Sequence, residues 1–279
     1  MSYKIVVDSC CELPEELKKD SRFEIVPLTL IVGDTYEKPD DESFDQKEFL
    51  QAVAQCPVSP RSACPSPERF MEAYRTEADH VYVVTLSSKL SGSYNSAVLG
   101  KNLYHETYGE KQIYVVDSRS ASCGETQIAY KIAQWEEEGL TFEEITSRIE
   151  QFVDGMHTYF VLDNLETLRK NGRLSGVKAL VASTLSIKPV MAGEQGSIVQ
   201  LGQSVGIKKA LAKMVDHVIR DVSDPEKKCL MITHCNNLDR ANSVKDQILA
   251  KVKFKDVLIM DTAGISSMYA NDGGVIVTA

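Results

Sequence analysis

An α/β fold in two domains is predicted by three features of the sequence. Short apolar runs rich in β-branched residues, such as Tyr3 to Val7, Val81 to Leu86 and Gln112 to Val116, alternate with stretches of helical periodicity. That alternation is the pattern of a mainly parallel sheet flanked by helices on both faces. Two of the runs end in a matching polar pair, Asp8-Ser9 and Asp117-Ser118, at the carboxyl end of a strand, where open α/β sheets place their ligands. The length, 279 residues, exceeds one ordinary domain, and Asp154-Gly155 marks a break. We therefore expect an N-terminal α/β domain over residues 1–155 and a second α/β domain over residues 156–279.

In chain order, the strand Tyr3 to Val7 is followed by a helix through Glu12-Leu13-Pro14-Glu15-Glu16-Leu17. Phe23 to Val32 reads as an extended run with Pro27 at an edge or bend, and Gly33-Asp34 as a turn. Phe49, Leu50 and Val53 have helical spacing, so Asp45 to Gln55 is expected to be a short amphipathic helix. Four prolines between Pro57 and Pro67 fix φ and remove donors, which makes this loop rigid. Ser66-Pro67-Glu68 then has the order of an N-cap, a first-turn proline and a first-turn acid. Ser62 has no such capping job, yet it is held on a stiff loop. After Val81 to Leu86 comes Ser91-Gly92-Ser93 at the start of a helix. The first amides of a helix lack intrahelical partners and carry the positive end of its dipole, so a small anion can dock there. Ser91 and Ser93 can add donors to such a site, or Ser91 can simply cap the helix. Asp8-Ser9, Ser62, Ser91 to Ser93 and Asp117-Ser118 are expected to converge on one edge of the sheet. Helices follow at about Cys123 to Glu138 and Thr141 to Val153.

In the second half, Thr158 to Leu162 reads as a strand, Leu165 to Lys170 as a short helix, and Asn171 to Gly176 as a turn into another helix. Ile187 to Ala192 and Ser197 to Leu201 flank Gly193-Glu194-Gln195-Gly196 as a hairpin. Helices at about Ile207 to Arg220 and Leu238 to Lys251 alternate with strands at Leu230 to Thr233 and Val257 to Met260, and Val275 to Thr278 is the last strand.

A net charge of -9, with no basic cluster longer than two residues, argues against a nucleic-acid partner. No apolar run approaches the ~20 residues of a membrane-spanning helix, and the opening residues lead straight into a strand without a signal peptide. Seven scattered cysteines without a C-x-x-C pair suggest neither a disulfide framework nor a zinc site, which points to the reducing cytoplasm. Neither G-x-G-x-x-G nor G-x-x-x-x-G-K-[ST] is present, and the five histidines share no ligand spacing, so no nucleotide cofactor or metal is expected. A serine between strand and helix also permits an acyl hydrolase or transferase with Ser93 as nucleophile and His234 and Asp117 as partners, although G-x-S-x-G is absent.

Taken together, several stretches resemble the DegV family of bacterial fatty-acid-binding proteins. They are Asp8-Ser9 with Glu12-Leu13-Pro14, Ser62-Ala63-Cys64-Pro65-Ser66-Pro67, Leu90 to Ala97, Val116-Asp117-Ser118, Leu168 to Ser175 and Ile187-Lys188-Pro189. The resemblance implies a two-domain α/β protein that is not itself an enzyme and holds one long-chain fatty acid, such as palmitate, between its domains. It implies that the carboxylate is held by Ser62 and Ser93, with Ser91, Gly92, Asp8, Ser9, Asp117, Ser118 and Tyr269 as further candidates. Some members act as the lipid-presenting subunit of a fatty acid kinase. Members usually carry an arginine where this chain has Ser204-Val205-Gly206 and a histidine where it has Tyr269. The expectation is therefore lipid binding, with presentation to a kinase put in doubt by the loss of both basic groups.

Overall fold

The computed structural model describes residues 2–175, 177 and 186–279. In the first part of the chain the elements are β1 (Tyr3–Asp8), α1 (Glu15–Lys18), β2 (Phe23–Val26), β3 (Thr29–Val32), β4 (Tyr36–Pro39), α2 (Gln46–Gln55), β5 (Arg61–Ala63), α3 (Pro67–Ala73), β6 (His80–Thr85), α4 (Ser93–Tyr108), β7 (Gln112–Asp117), α5 (Cys123–Glu137) and α6 (Phe142–Asp154). The rest comprises β8 (Thr158–Val161), α7 (Glu166–Lys170), β9 (Ile187–Glu194), β10 (Ser197–Val205), α8 (Ile207–Asp221), a 3₁₀ turn at Pro225–Lys227, β11 (Cys229–His234), α9 (Leu238–Leu249), β12 (Asp256–Asp261), α10 (Gly264–Ala270) and β13 (Val275–Thr278).

The first sheet has the order β2-β1-β6-β7 and is parallel throughout. Its strands alternate between two apolar faces, as a doubly covered sheet requires. Ile5, Val7, Tyr82 and Val84 pack with Ile128, Ile132, Ile145 and Ile149 of α5 and α6. Val6, Val81 and Val83 pack on the other face with Phe70, Tyr74 and Ala97 of the α3–α4 layer. Gly100 lets those two helices touch, because a Cβ there would lie 2.6 Å from the Pro67 carbonyl oxygen.

A second sheet has the order β10-β9-β8-β13-β11-β12, with β13 running antiparallel between β8 and β11. One face is covered by α8 and α9 through Leu211, Met214, Val215, Val244 and Ile248. Helix α5 touches β1 and β6 of the first sheet and β11 and β13 of the second, so it is shared between the two. Its first two turns, Cys123 to Ala129, are accordingly buried all round.

A third sheet, β4-β3-β5, is antiparallel and small. The sequence reading did not resolve it. Pro27 divides the extended run into β2 and β3, which belong to different sheets, and part of the proline-rich loop pairs as β5. The helix expected from Glu12 starts only at Glu15, after Pro14 at its N-cap. Helix α10 was not anticipated, and the helix expected after Gly176 falls outside the described residues. Among the described residues no helix is long and apolar enough to cross a membrane.

Candidate functional site

Between the two large sheets lies a cavity of about 850 Å³, open side included. Its walls are mostly apolar: Leu86 and Leu90 follow β6, Phe160 comes from β8, Ile198 from β10, and Ile265 and Ala270 from α10. Helix α10 is held in place by Asp40, whose carboxylate accepts from the Gly264 amide at 2.8 Å and the Ile265 amide at 2.9 Å. Any side chain at Gly264 would collide with that carboxylate and with Leu30, so glycine is required there. Burial pushes the Asp40 carboxyl up to about 6, against the two amide bonds.

Three loops bring polar groups to one corner of this cavity. Ser62 lies on β5, opposite Leu30, and its hydroxyl has no hydrogen bond to the described residues. Ser91 accepts from the Ser93 amide at 3.2 Å, which leaves its own hydroxyl proton free to be donated. Arg173 donates through Nε to the Leu90 carbonyl at 3.1 Å and through Nη1 to the Asn171 carbonyl. Asn171 in turn donates to the Pro60 carbonyl at 2.9 Å, so the loops carrying Ser62, Ser91 and Arg173 are tied together. The cavity is lined by two arginines. Arg119 is paired with Glu150 and Asp154, whereas Arg173 has no carboxylate within ion-pair distance among the described residues.

The other expected site residues lie beneath this corner or at its rim. Ser93 is fully buried, and its hydroxyl donates to Asp8 Oδ2 at 2.5 Å. The Asp8 carboxylate also accepts from the Leu86 amide at 2.9 Å and the Cys10 amide at 3.0 Å, bonds that oppose the upward pull of burial on its carboxyl. The expectation that Ser93 faces a ligand therefore meets a hydroxyl whose one proton is already engaged. Ser9 accepts from the Leu28 amide at 3.0 Å. Asp117 accepts from the Ser88 amide and hydroxyl and from the Arg119 amide, and Ser118 bonds the backbone of Ser120. These four residues hold the loops at the carboxyl ends of the strands. Gly92 is the side-chain-less N-cap of α4, and Tyr269 lines the cavity from α10. A triad of Ser93, His234 and Asp117 is not assembled, since His234 Nδ1 accepts from the Asn237 amide and lies 3.4 Å from Asp261.

Two further acids lie close to Asp8. Glu12 accepts from Ser122 at 2.6 Å and from the Ala263 amide at 3.2 Å, and burial pushes its carboxyl up to about 7. Glu125 is fully buried, with neither oxygen hydrogen-bonded within the described residues. Burial and the neighbouring Asp8 charge raise its carboxyl well above the ordinary range. Sequence reasoning passed over Arg173, Glu125 and Asp40 as site residues. The available signal for Arg173 was a basic residue directly after Asn171-Gly172, a turn-forming pair.

A mostly apolar cavity between two α/β sheets, with a donor-rich corner and a guanidinium that has no carboxylate partner among the described residues, defines an interdomain binding protein. The chain belongs to the DegV family: the model described as "Uncharacterised protein, DegV family" matches residues 2–278. It is 35% identical over 283 residues to a DegV domain-containing protein of Streptococcus pyogenes serotype M1, spanning 99% of this chain and 98% of that one. A DegV family protein from Ruminococcus gnavus, whose crystal structure is described with vaccenic acid, superposes with a TM-score of 0.97 at 53% identity and covers 100% of this chain and 99% of its own. The Streptococcus pneumoniae Fatty Acid Kinase (Fak) B3 protein, loaded with linoleic acid, superposes with a TM-score of 0.87 at 29% identity over 100% and 99% of the two chains.

Proposed function

We propose that this protein binds a long-chain fatty acid non-covalently in the interdomain cavity, with its carboxylate at the corner formed by Ser62, Ser91 and Arg173. The observation that carries the reading is the pairing of an apolar cavity with one polar corner where Arg173 lacks an anion among the described residues. The fatty acids held by the Ruminococcus gnavus and Streptococcus pneumoniae relatives support it. Burying a 16-carbon tail contributes about 0.8 kcal/mol per methylene, ~12 kcal/mol gross before association costs. A charge-assisted hydrogen bond to the head adds only about 1.5–3 kcal/mol. Apolar walls thus supply affinity, and the corner supplies orientation. On this reading Ser93 acts indirectly, by fixing the start of α4 through Asp8.

The protein is a carrier without chemistry of its own, in the reducing cytoplasm, and needs neither metal nor cofactor. Transfer of the bound lipid to a fatty acid kinase is the weaker part of the proposal, because neither Val205, exposed at the end of β10, nor Tyr269, at the cavity wall, is a basic side chain. Native and denaturing mass spectrometry of freshly purified protein tests the main reading. A fatty acid present in the native spectrum and released on denaturation is the expected result. A covalent acyl adduct on Ser93, or no lipid taken up on incubation with oleate, refutes it.

A further inference from the structure

We propose a second ligand site, separate from the lipid cavity, that binds a phosphate-bearing small molecule through Lys131, Lys228 and Lys255. These lysines come from α5, from the residue just before β11 and from the loop before β12, and they meet at a cleft between the domains. The space between its walls is about 870 Å³, open side included. The side chains of the lining carry four ammonium groups, with Lys227 as the fourth, against one carboxylate, Asp256. In a chain of net charge -9 this is a local reversal of sign.

The frame of the cleft is fixed by hydrogen bonds. The Lys255 amide donates to the Lys228 carbonyl at 3.0 Å and the Pro225 carbonyl at 3.3 Å, which sets the two lysine-bearing segments side by side. Gln127 Nε2 donates to the Cys229 carbonyl at 2.6 Å and so ties α5 to β11. Lys227 is spent on Asp224 at 3.5 Å, but Lys131, Lys228 and Lys255 have no carboxylate within ion-pair distance among the described residues. Lys131 is steadied by Gln134 and the Trp135 ring, which leaves ammonium protons available. Lys228 is half-buried, and burial lowers its pKa because its charge is partly stripped of water without a paired anion. A phosphate group meets that need better than a carboxylate, offering more acceptor oxygens and a higher charge. Tyr130 and Phe152 add an aromatic and apolar wall on which an organic moiety can rest.

Titration calorimetry at low salt with sodium pyrophosphate, and in parallel with ATP, tests the site. We expect binding with a Kd below about 1 mM that weakens as salt rises. Lys228→Ala and Lys255→Ala should each weaken it about tenfold, the loss of one charge-assisted contact, with fatty acid binding unchanged. Lys255 is exposed, so its variant keeps the test valid if Lys228→Ala perturbs folding. No heat from either ligand at millimolar concentration overturns the proposal, as does unchanged affinity in both variants. Retention on phosphatidylglycerol vesicles, but not phosphatidylcholine vesicles, without binding of pyrophosphate or ATP would assign the cleft to a membrane surface and overturn it too.

Discussion

Arg173 gives the sharpest test of where the lipid head lies. Replacing it with Gln keeps much of the length and some of the donors but removes the charge. Arg173 already spends Nε on Leu90 and one Nη1 proton on Asn171, so its remaining protons are those free for a carboxylate. A charged hydrogen bond of this kind contributes about 1.5–3 kcal/mol, so Arg173→Gln should raise the Kd for oleate roughly 10- to 150-fold. Because stability could also change, the measurement should be a cycle in which the ligand is altered as well. Methyl oleate keeps the tail but carries no charge, and it should bind wild-type protein and variant about equally. The coupling energy from the four dissociation constants, read by fluorescent displacement, should therefore recover about 1.5–3 kcal/mol. Coupling near zero, with acid and ester losing affinity in parallel, would mean that Arg173 only holds the loop and that the carboxylate lies elsewhere.

Three further outcomes follow from the same geometry. Ser93→Ala should lower the stability of delipidated protein by about 1.5–3 kcal/mol, since it leaves a buried carboxylate short of a donor; an unchanged melting temperature with a large loss of lipid affinity would show instead that Ser93 turns to the ligand. Glu12 is raised from its ordinary 4.5 to about 7, so the folded chain holds this proton more tightly than the unfolded chain does. Its contribution is complete below pH 4.5 and is lost as the pH climbs to about 7, which amounts to on the order of 3 kcal/mol. Glu12→Gln should flatten urea-unfolding stability over that window, and an undiminished pH slope would count against the assignment. Finally, Tyr269→His with Val205→Arg should increase phosphorylation of the bound lipid by a fatty acid kinase; wild-type protein already as active as a relative with both basic groups would refute the weight placed on their absence.

Much of the fold was legible because it rests on local patterns. Strands β1, β6 and β7 announce themselves as short β-branched runs, and Ser66-Pro67-Glu68 opens α3 as read, with Ser66 accepting from the Arg69 amide. The misses are non-local. Gly264-Ile265-Ser266-Ser267-Met268 has no clean helical periodicity, and α10 is capped by Asp40, 224 residues earlier in the chain. Ser62 lies on a strand only because β3 supplies its partner. The same holds for the site. Spacing indicated that Ser91 and Ser93 stand at a helix start, but nothing local reveals that Asp8, 85 residues away, takes the proton of Ser93 and leaves that of Ser91 free. Arg173 sat in a recognisable stretch, yet what sets it apart is that no carboxylate among the described residues pairs with it, and that is visible only in three dimensions.

On the proposed placement of the head group, an acidic protein that holds an anion above buried carboxyl groups must first temper their charge. Asp8 stands closest to the corner, through Ser93 and then Ser91, and its charge is spread over three donors. Burial raises the Glu125 carboxyl well above the ordinary range and so disfavours its ionised form. Glu12 sits near the midpoint of its titration at neutral pH. The positive contributions to the field at the corner are the Arg173 charge and the N-terminus of α4. With the carboxylate at this corner, as proposed, the site should distinguish an ionised head from a neutral one by charge as well as by hydrogen bonding. A fatty alcohol of equal length retains the tail term but forgoes the attraction to Arg173, so it should bind more weakly than the acid by the margin that Arg173→Gln removes.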